Sequence, residues 1–137
     1  MARLRELVRL RIAFHNQCRS CMSVRYQSAV DDGLTEDAVC SLERPAEAPD
    51  LSAAERSALH FADLFATNHL AIDDTVYDDL RRHFTEDELV ELGMHCALCV
   101  GFGRLAATWA VTDELPEAFK SATNPAPWTS GGVVASG

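Results

Sequence analysis

Apolar residues recur three and four positions apart along most of this chain, the spacing of helices that bury one face. From residue 2 to 14, Leu4, Leu7, Val8, Leu10 and Ile12 make a broad apolar face, and Arg3, Arg5, Arg9 and Arg11 cover the rest. His15-Asn16-Gln17 interrupts the pattern. Asn16 suits the N-cap of a second helix predicted over about residues 17–32, and Gly33 suits the position that ends it. A short third helix is predicted from Thr35 to about Leu42, followed by a loop holding Pro45 and Pro49.

Ser52-Ala-Ala-Glu55 and Thr85-Glu-Asp-Glu88 each have the form of a capping box. The first opens a helix to about Asn68, and the second opens the longest helix, to about Val111. Between them, Asp73 or Asp74 caps a shorter helix. On the longest helix Gly93, Ala97 and Gly101 recur every fourth residue, a spacing of small residues that lets another helix come close. After Pro116 the periodicity stops. The prediction is an all-α fold of about six helices over residues 1–116, with no strand. A tail over residues 117–137 is expected to be loose or to make a contact with another chain through Trp128.

A chain of 137 residues is the size of one domain and buries roughly 68% of its unfolded surface without staples. The net charge of −9 opposes nucleic acid and anionic membrane surfaces, which need Lys and Arg to neutralise phosphate. No apolar leader follows the charged start, and no apolar run approaches the ~20 residues of a membrane span. The expected location is the cytoplasm. Five cysteines there do not make a disulfide framework, so a close-spaced pair points to redox, catalytic or metal chemistry.

Cys18-Arg-Ser-Cys21 is such a pair, at the predicted start of a helix. Side chains three apart share a face, so the two sulfurs can meet. The positive end of the helix favours thiolate over thiol, and the thiolate is the nucleophile of exchange and peroxide chemistry. A neighbouring thiol then resolves a sulfenic acid into a disulfide. The dipole favours Cys18 as the attacking group. The bland alternative is two small core residues. Glu6 precedes Cys18 by 12 residues and reads either as a proton acceptor or as a surface partner of Arg9.

The stretch Glu6-Leu-Val-Arg-Leu-Arg-Ile-Ala-Phe-His-Asn-Gln-Cys18-Arg-Ser-Cys21 resembles the hallmark of AhpD-like members of the carboxymuconolactone decarboxylase family. That hallmark is a Glu, 11 residues, Cys-x-x-Cys, and usually a His four positions later. Weaker likeness continues through residues 58–63, 73–74 and 84–91. The resemblance implies an all-α AhpD-like fold that forms homo-oligomers, commonly trimers or hexamers. It implies reduction of a small hydroperoxide or disulfide by Cys18 and Cys21, with Cys21 attacking, Glu6 in a proton relay and an external dithiol as reductant. It implies no metal, flavin or haem. Lactone-decarboxylating members do not need a dithiol, and an enzyme of that type acting on a carboxylate is the alternative, with an idle oligomeric scaffold as a third reading.

Two features depart from the hallmark. The relay His position holds Arg25, which cannot shuttle protons but can hold a thiolate or an anionic substrate. His15, three residues before Cys18, is a candidate replacement base. Relatives also carry helices ahead of the Glu. A second pair, Cys96-Ala-Leu-Cys99 beside His95, is expected on a core-facing surface in preference to a zinc site. Phe102 and Trp109 are expected in the core or at a subunit interface.

Overall fold

The structure is a computed structural model and describes residues 1–136. Among these residues the chain forms eight α-helices and one pair of short strands. In order they are α1 (Ala2–Asn16), α2 (Arg19–Ser23), β1 (Val24–Tyr26), α3 (Gln27–Asp31), α4 (Glu36–Cys40), α5 (Ala53–Thr67), α6 (Asp74–Arg81), α7 (Glu86–Trp109), α8 (Glu117–Lys120) and β2 (Val133–Ala135). The all-α architecture is as expected, with the count raised because the predicted second helix is cut in two and the tail contributes a helix.

α1 is the central element, packed by α5 and α7 along its length. Its Leu7, Val8, Leu10 and Ile12 are fully buried against Leu59, Ala62 and Cys96 of those two helices. Both predicted capping boxes are complete, Ser52 with Glu55 on α5 and Thr85 with Glu88 on α7. Asp73 caps α6, and Gly33 takes a positive φ of 87° just after α3.

The first difference lies at the end of α1. The helix runs through Asn16 and stops at Gln17, which takes the left-handed conformation (φ 49°). The N–H of Cys18 then donates to Ala13 O and that of Gln17 to Phe14 O, which closes the helix end. Asn16 stays helical and is no cap. Its amide donates to the carbonyl of Cys99 on α7, and the cap of α2 is Cys18 itself.

The second difference is that helix 17–32 breaks into α2, β1 and α3. Val24, Arg25 and Tyr26 are extended and pair in parallel with Val133, Val134 and Ala135. The carbonyls freed at the end of α2 are taken by side chains: Arg9 donates to Cys21 O and Val24 O, and Arg25 to Met22 O. A partner far along the chain thus overrides local helical periodicity.

The aperiodic tail is packed into the fold. Phe119 and Trp128 are fully buried within the chain's own core, so Trp128 has no exposed ring to offer another chain. α7 also differs from expectation. Its Val90, Met94, Leu98, Phe102, Leu105 and Trp109 form an exposed stripe, so Phe102 and Trp109 lie outside the core. A methyl group at Gly93 or Gly101 meets nothing within 4 Å; the close approach is at Gly103, where it would lie 2.6 Å from the Asn16 amide nitrogen. With 24 residues and an 18-residue window of mean hydropathy 1.4, α7 is long and apolar enough to cross a membrane by length and composition, contrary to the expectation that no segment is.

Candidate active site

Cys18 and Cys21 are joined by a disulfide, their Cα atoms 5.2 Å apart. The Gln17 turn at the end of α1 delivers both to the first turn of α2. Cys18 Sγ occupies the N-cap position and accepts from the backbone N–H of Cys21 at 3.4 Å. Cys18 is fully buried, whereas Cys21 is only half-buried and lines an open groove of about 590 Å³ between α1, β1 and α7. The groove wall is mainly apolar, with Val24, Leu98, Phe102 and Gly103, and its polar groups include Arg9 and His95. Reactants therefore meet Cys21 first, and Cys18 lies behind it.

Glu6 is 3% exposed and every acceptor position it uses is filled. Arg9 grips it through two bonds of 2.7 Å, Nε to Oε2 and Nη2 to Oε1, and Oε1 also accepts the N–H of Tyr26 at 3.1 Å. The same guanidinium holds the carbonyls of Cys21 and Val24 at 2.8 Å each. Glu6 and Arg9 thus form a buried ion pair that fixes the backbone immediately after the dithiol. The surface reading of this pair is wrong, because the chain folds β1 down over it.

The structure does not bring Arg25 or His15 into the groove lining. Arg25 is fully buried. It pairs with Glu36 of α4 through Nε (3.0 Å) and Nη2 (3.3 Å) and holds Met22 O at 2.7 Å. Strand geometry explains this: β1 sends alternate residues to opposite faces, so Val24 and Tyr26 line the groove and Arg25 faces α4. His15 bonds Asp63 of α5 at 2.6 Å, where Arg11 also binds. Burial pushes the Asp63 carboxyl up, and the hydrogen bonds from His15 and Arg11 outweigh it, holding the group below its ordinary value.

Sequence reasoning did not assign His95 and Tyr26 to the site, and both line the groove, Tyr26 with its ring against the Arg9 guanidinium. His95 Nε2 lies 2.9 Å from the Arg5 carbonyl, so that nitrogen carries the proton, and it is 3.7 Å from Cys99 Sγ. The adjacency of His95 to a Cys-x-x-Cys was the available signal. Cys96 enters the core as expected, but Cys99 turns to the groove. Burial pushes the Cys96 thiol up to about 12 and the Cys99 thiol to about 11. Neither is a ready nucleophile at neutral pH.

The model of the carboxymuconolactone decarboxylase family matches residues 2–64. Two uncharacterized proteins of Mycobacterium tuberculosis, from strains CDC 1551 / Oshkosh and ATCC 25618 / H37Rv, are each 40% identical to this chain over 89 residues. That match covers 64% of this chain but only 31% of either relative, so the chain spans less than a third of their length. No solved structure matches at a significant level. The residues over which the chain is similar to the carboxymuconolactone decarboxylase family hold Glu6, Arg9, the Gln17 stop and both cysteines of the dithiol.

Proposed function

We propose that this protein is an AhpD-type thiol oxidoreductase that reduces a small hydroperoxide or disulfide through Cys18 and Cys21. The observation that carries the reading is the arrangement of the pair: one sulfur at the wall of an open groove, bonded to a second that is sealed behind it. In the reduced protein the Cys21 thiolate attacks the terminal oxygen of a hydroperoxide. The O–O bond breaks, the alkoxide takes a proton and leaves as alcohol, and Cys21 becomes a sulfenic acid. Cys18 then attacks Cys21 Sγ and water leaves, which forms the observed disulfide. An external dithiol restores the pair by two exchange steps and departs as its own disulfide.

The Glu6–Arg9 pair has a clear part in this scheme. It holds the carbonyls that follow the dithiol and so fixes the position of Cys21. A proton-relay role for Glu6 rests on the family resemblance. The lactone or decarboxylase reading relied on Arg25 and His15 around a carboxylate, and neither lines the groove. We also propose a homo-oligomer. The α7 stripe suits a second copy, and Leu98 and Phe102 belong both to that stripe and to the groove wall.

The test is a brief stoichiometric pulse of an organic hydroperoxide on the fully reduced protein, followed by peptide mass spectrometry. The expected product is the Cys18–Cys21 disulfide. Cys18→Ser should stall at a sulfenic acid on Cys21 that a dimedone probe traps. Cys21→Ser should lose hydroperoxide consumption, and retention of that activity sinks the assignment.

A further inference from the structure

Arg19 stands between the two cysteines, yet it does not line the groove. It is nine-tenths buried, and its guanidinium is spent on the tail. Nε donates to Phe119 O at 2.7 Å, and Nη2 to Ala118 O at 3.3 Å and Asn124 O at 3.0 Å. Nη1 donates to Gln17 Oε1 at 3.2 Å, and the Gln17 amide in turn donates to Pro125 O at 3.2 Å. None of these acceptors is a carboxylate, so the cation is buried without a neutralising charge. Such a group is costly to keep and is held only where its hydrogen bonds are all made.

The tail is bound to the same turn at a further point. β2 pairs with β1 directly after α2, and Gly132 lies so close to Arg25 that a Cβ there would stand 2.7 Å from Cζ and 2.8 Å from the Ser23 carbonyl oxygen. Phe119 and Trp128, fully buried, anchor the stretch between these points. Segment 117–135 thus grips segment 17–26 from both ends of the dithiol turn. That turn is where Cys18 is sealed and Cys21 is left accessible.

We propose that Arg19 is a positioning residue of the dithiol: by holding the tail's carbonyls it fixes the turn so that Cys18 stays sealed and Cys21 alone meets reactants. The docked tail thereby decides which sulfur reacts first. The inference builds on the dithiol chemistry proposed above, but it concerns selectivity between the two sulfurs and can be read without turnover.

The experiment uses the full chain, reduced, with a limiting amount of N-ethylmaleimide, and reads the Cys21-to-Cys18 labelling ratio by peptide mass spectrometry. Trypsin cleavage after Lys120 reports in parallel whether the tail is docked. The intact protein should label Cys21 by more than about tenfold over Cys18, as thiol access dictates. Arg19→Met keeps the bulk and removes the bonds. Gly132→Ala attacks the tail from its far end, against Ser23 O and Arg25, and leaves Arg19 itself in place. Both should speed cleavage after Lys120 and bring the ratio to within about threefold of unity as access equalises. A purely structural Arg19 lowers the melting temperature and leaves the ratio alone. Faster cleavage with an unchanged ratio overturns the proposal, and so does unchanged cleavage in both variants. Loss of hydroperoxide reduction with the ratio intact would count against the oxidoreductase reading and not against this one.

Discussion

At the scale of single residues, the five cysteines fall into two chemical groups for reasons of place alone. Cys96 and Cys99 sit where burial raises their thiols to about 12 and about 11. Cys40 is also raised, by burial first and then by the carboxylates of Glu36, Asp37 and Glu43. A thiol at about 11 is ionised roughly 100-fold less at pH 8 than one at the ordinary 9, and alkylation follows the thiolate. The expected result with iodoacetamide at pH 8 on reduced, folded protein is label on the dithiol, chiefly at Cys21, and almost none on Cys96 or Cys99. Label on those two should appear only as pH climbs past 10 or when the protein is unfolded. Fast labelling of Cys99 at pH 8 would mean that the groove ionises it, and the division would fail. The dithiol and Glu6 were legible in the sequence because their spacing is local. His95 and Tyr26 were not, because they reach the groove from α7 and β1, and no local pattern states which helices pack together.

At the scale of elements, the regular features were legible and the interruptions were not. Capping boxes and the stop at Gly33 act within a turn of the chain, so their chemistry is local, whereas Gln17, expected to open a helix, ends one. β1 was illegible because Val24–Tyr26 is strand only by virtue of Val133–Ala135. The same limit misplaced the close approach on α7. Gly101 opens onto empty space, so Gly101→Ala should stabilise the helix by about 1 kcal/mol through propensity. Gly103→Ala should destabilise by about 1–3 kcal/mol, since its methyl group meets Asn16. Denaturant titration of both variants checks the contrast, and the opposite order would mean that α7 presents its other face to α1.

Asp63 sets a pH limit on the packing of α5 against α1, which it joins through Arg11 and His15. Its folded pKa is depressed, so the stability it supplies is complete above its ordinary value of 3.8 and disappears as pH falls through the folded value below that. Asp63→Asn should therefore cost about 2 kcal/mol at pH 6, where charged hydrogen bonds are lost. The gap between variant and parent should close on acidification below pH 4. A gap that stays constant down to pH 2 would assign the loss to packing and not to charge.

At the scale of the whole molecule, a chain with net charge −9 keeps one face almost free of charge. That face is the outer side of α7, where six large apolar side chains from Val90 to Trp109 are each at least half exposed. The two charged residues nearest the middle of the helix are held by other elements, Arg104 by Asn16 and the Ala66 carbonyl and Glu91 by Arg5. Exposed patches of this kind mark contacts with a protein or a membrane, and the homo-oligomer proposed above would cover this one. A second copy is the simplest occupant, because two identical neutral stripes can pack without opposing the acidic surfaces beyond them. Light scattering at tens of micromolar should then give a mass at a multiple of 15.0 kDa. Met94→Glu with Leu105→Glu places like charges on both copies without touching the groove lining, and should return the mass to 15.0 kDa while the Cys18–Cys21 disulfide still forms. If the unaltered protein already runs at 15.0 kDa, the stripe belongs to a different partner, and Leu98 and Phe102 stay open to solvent at the mouth of the groove.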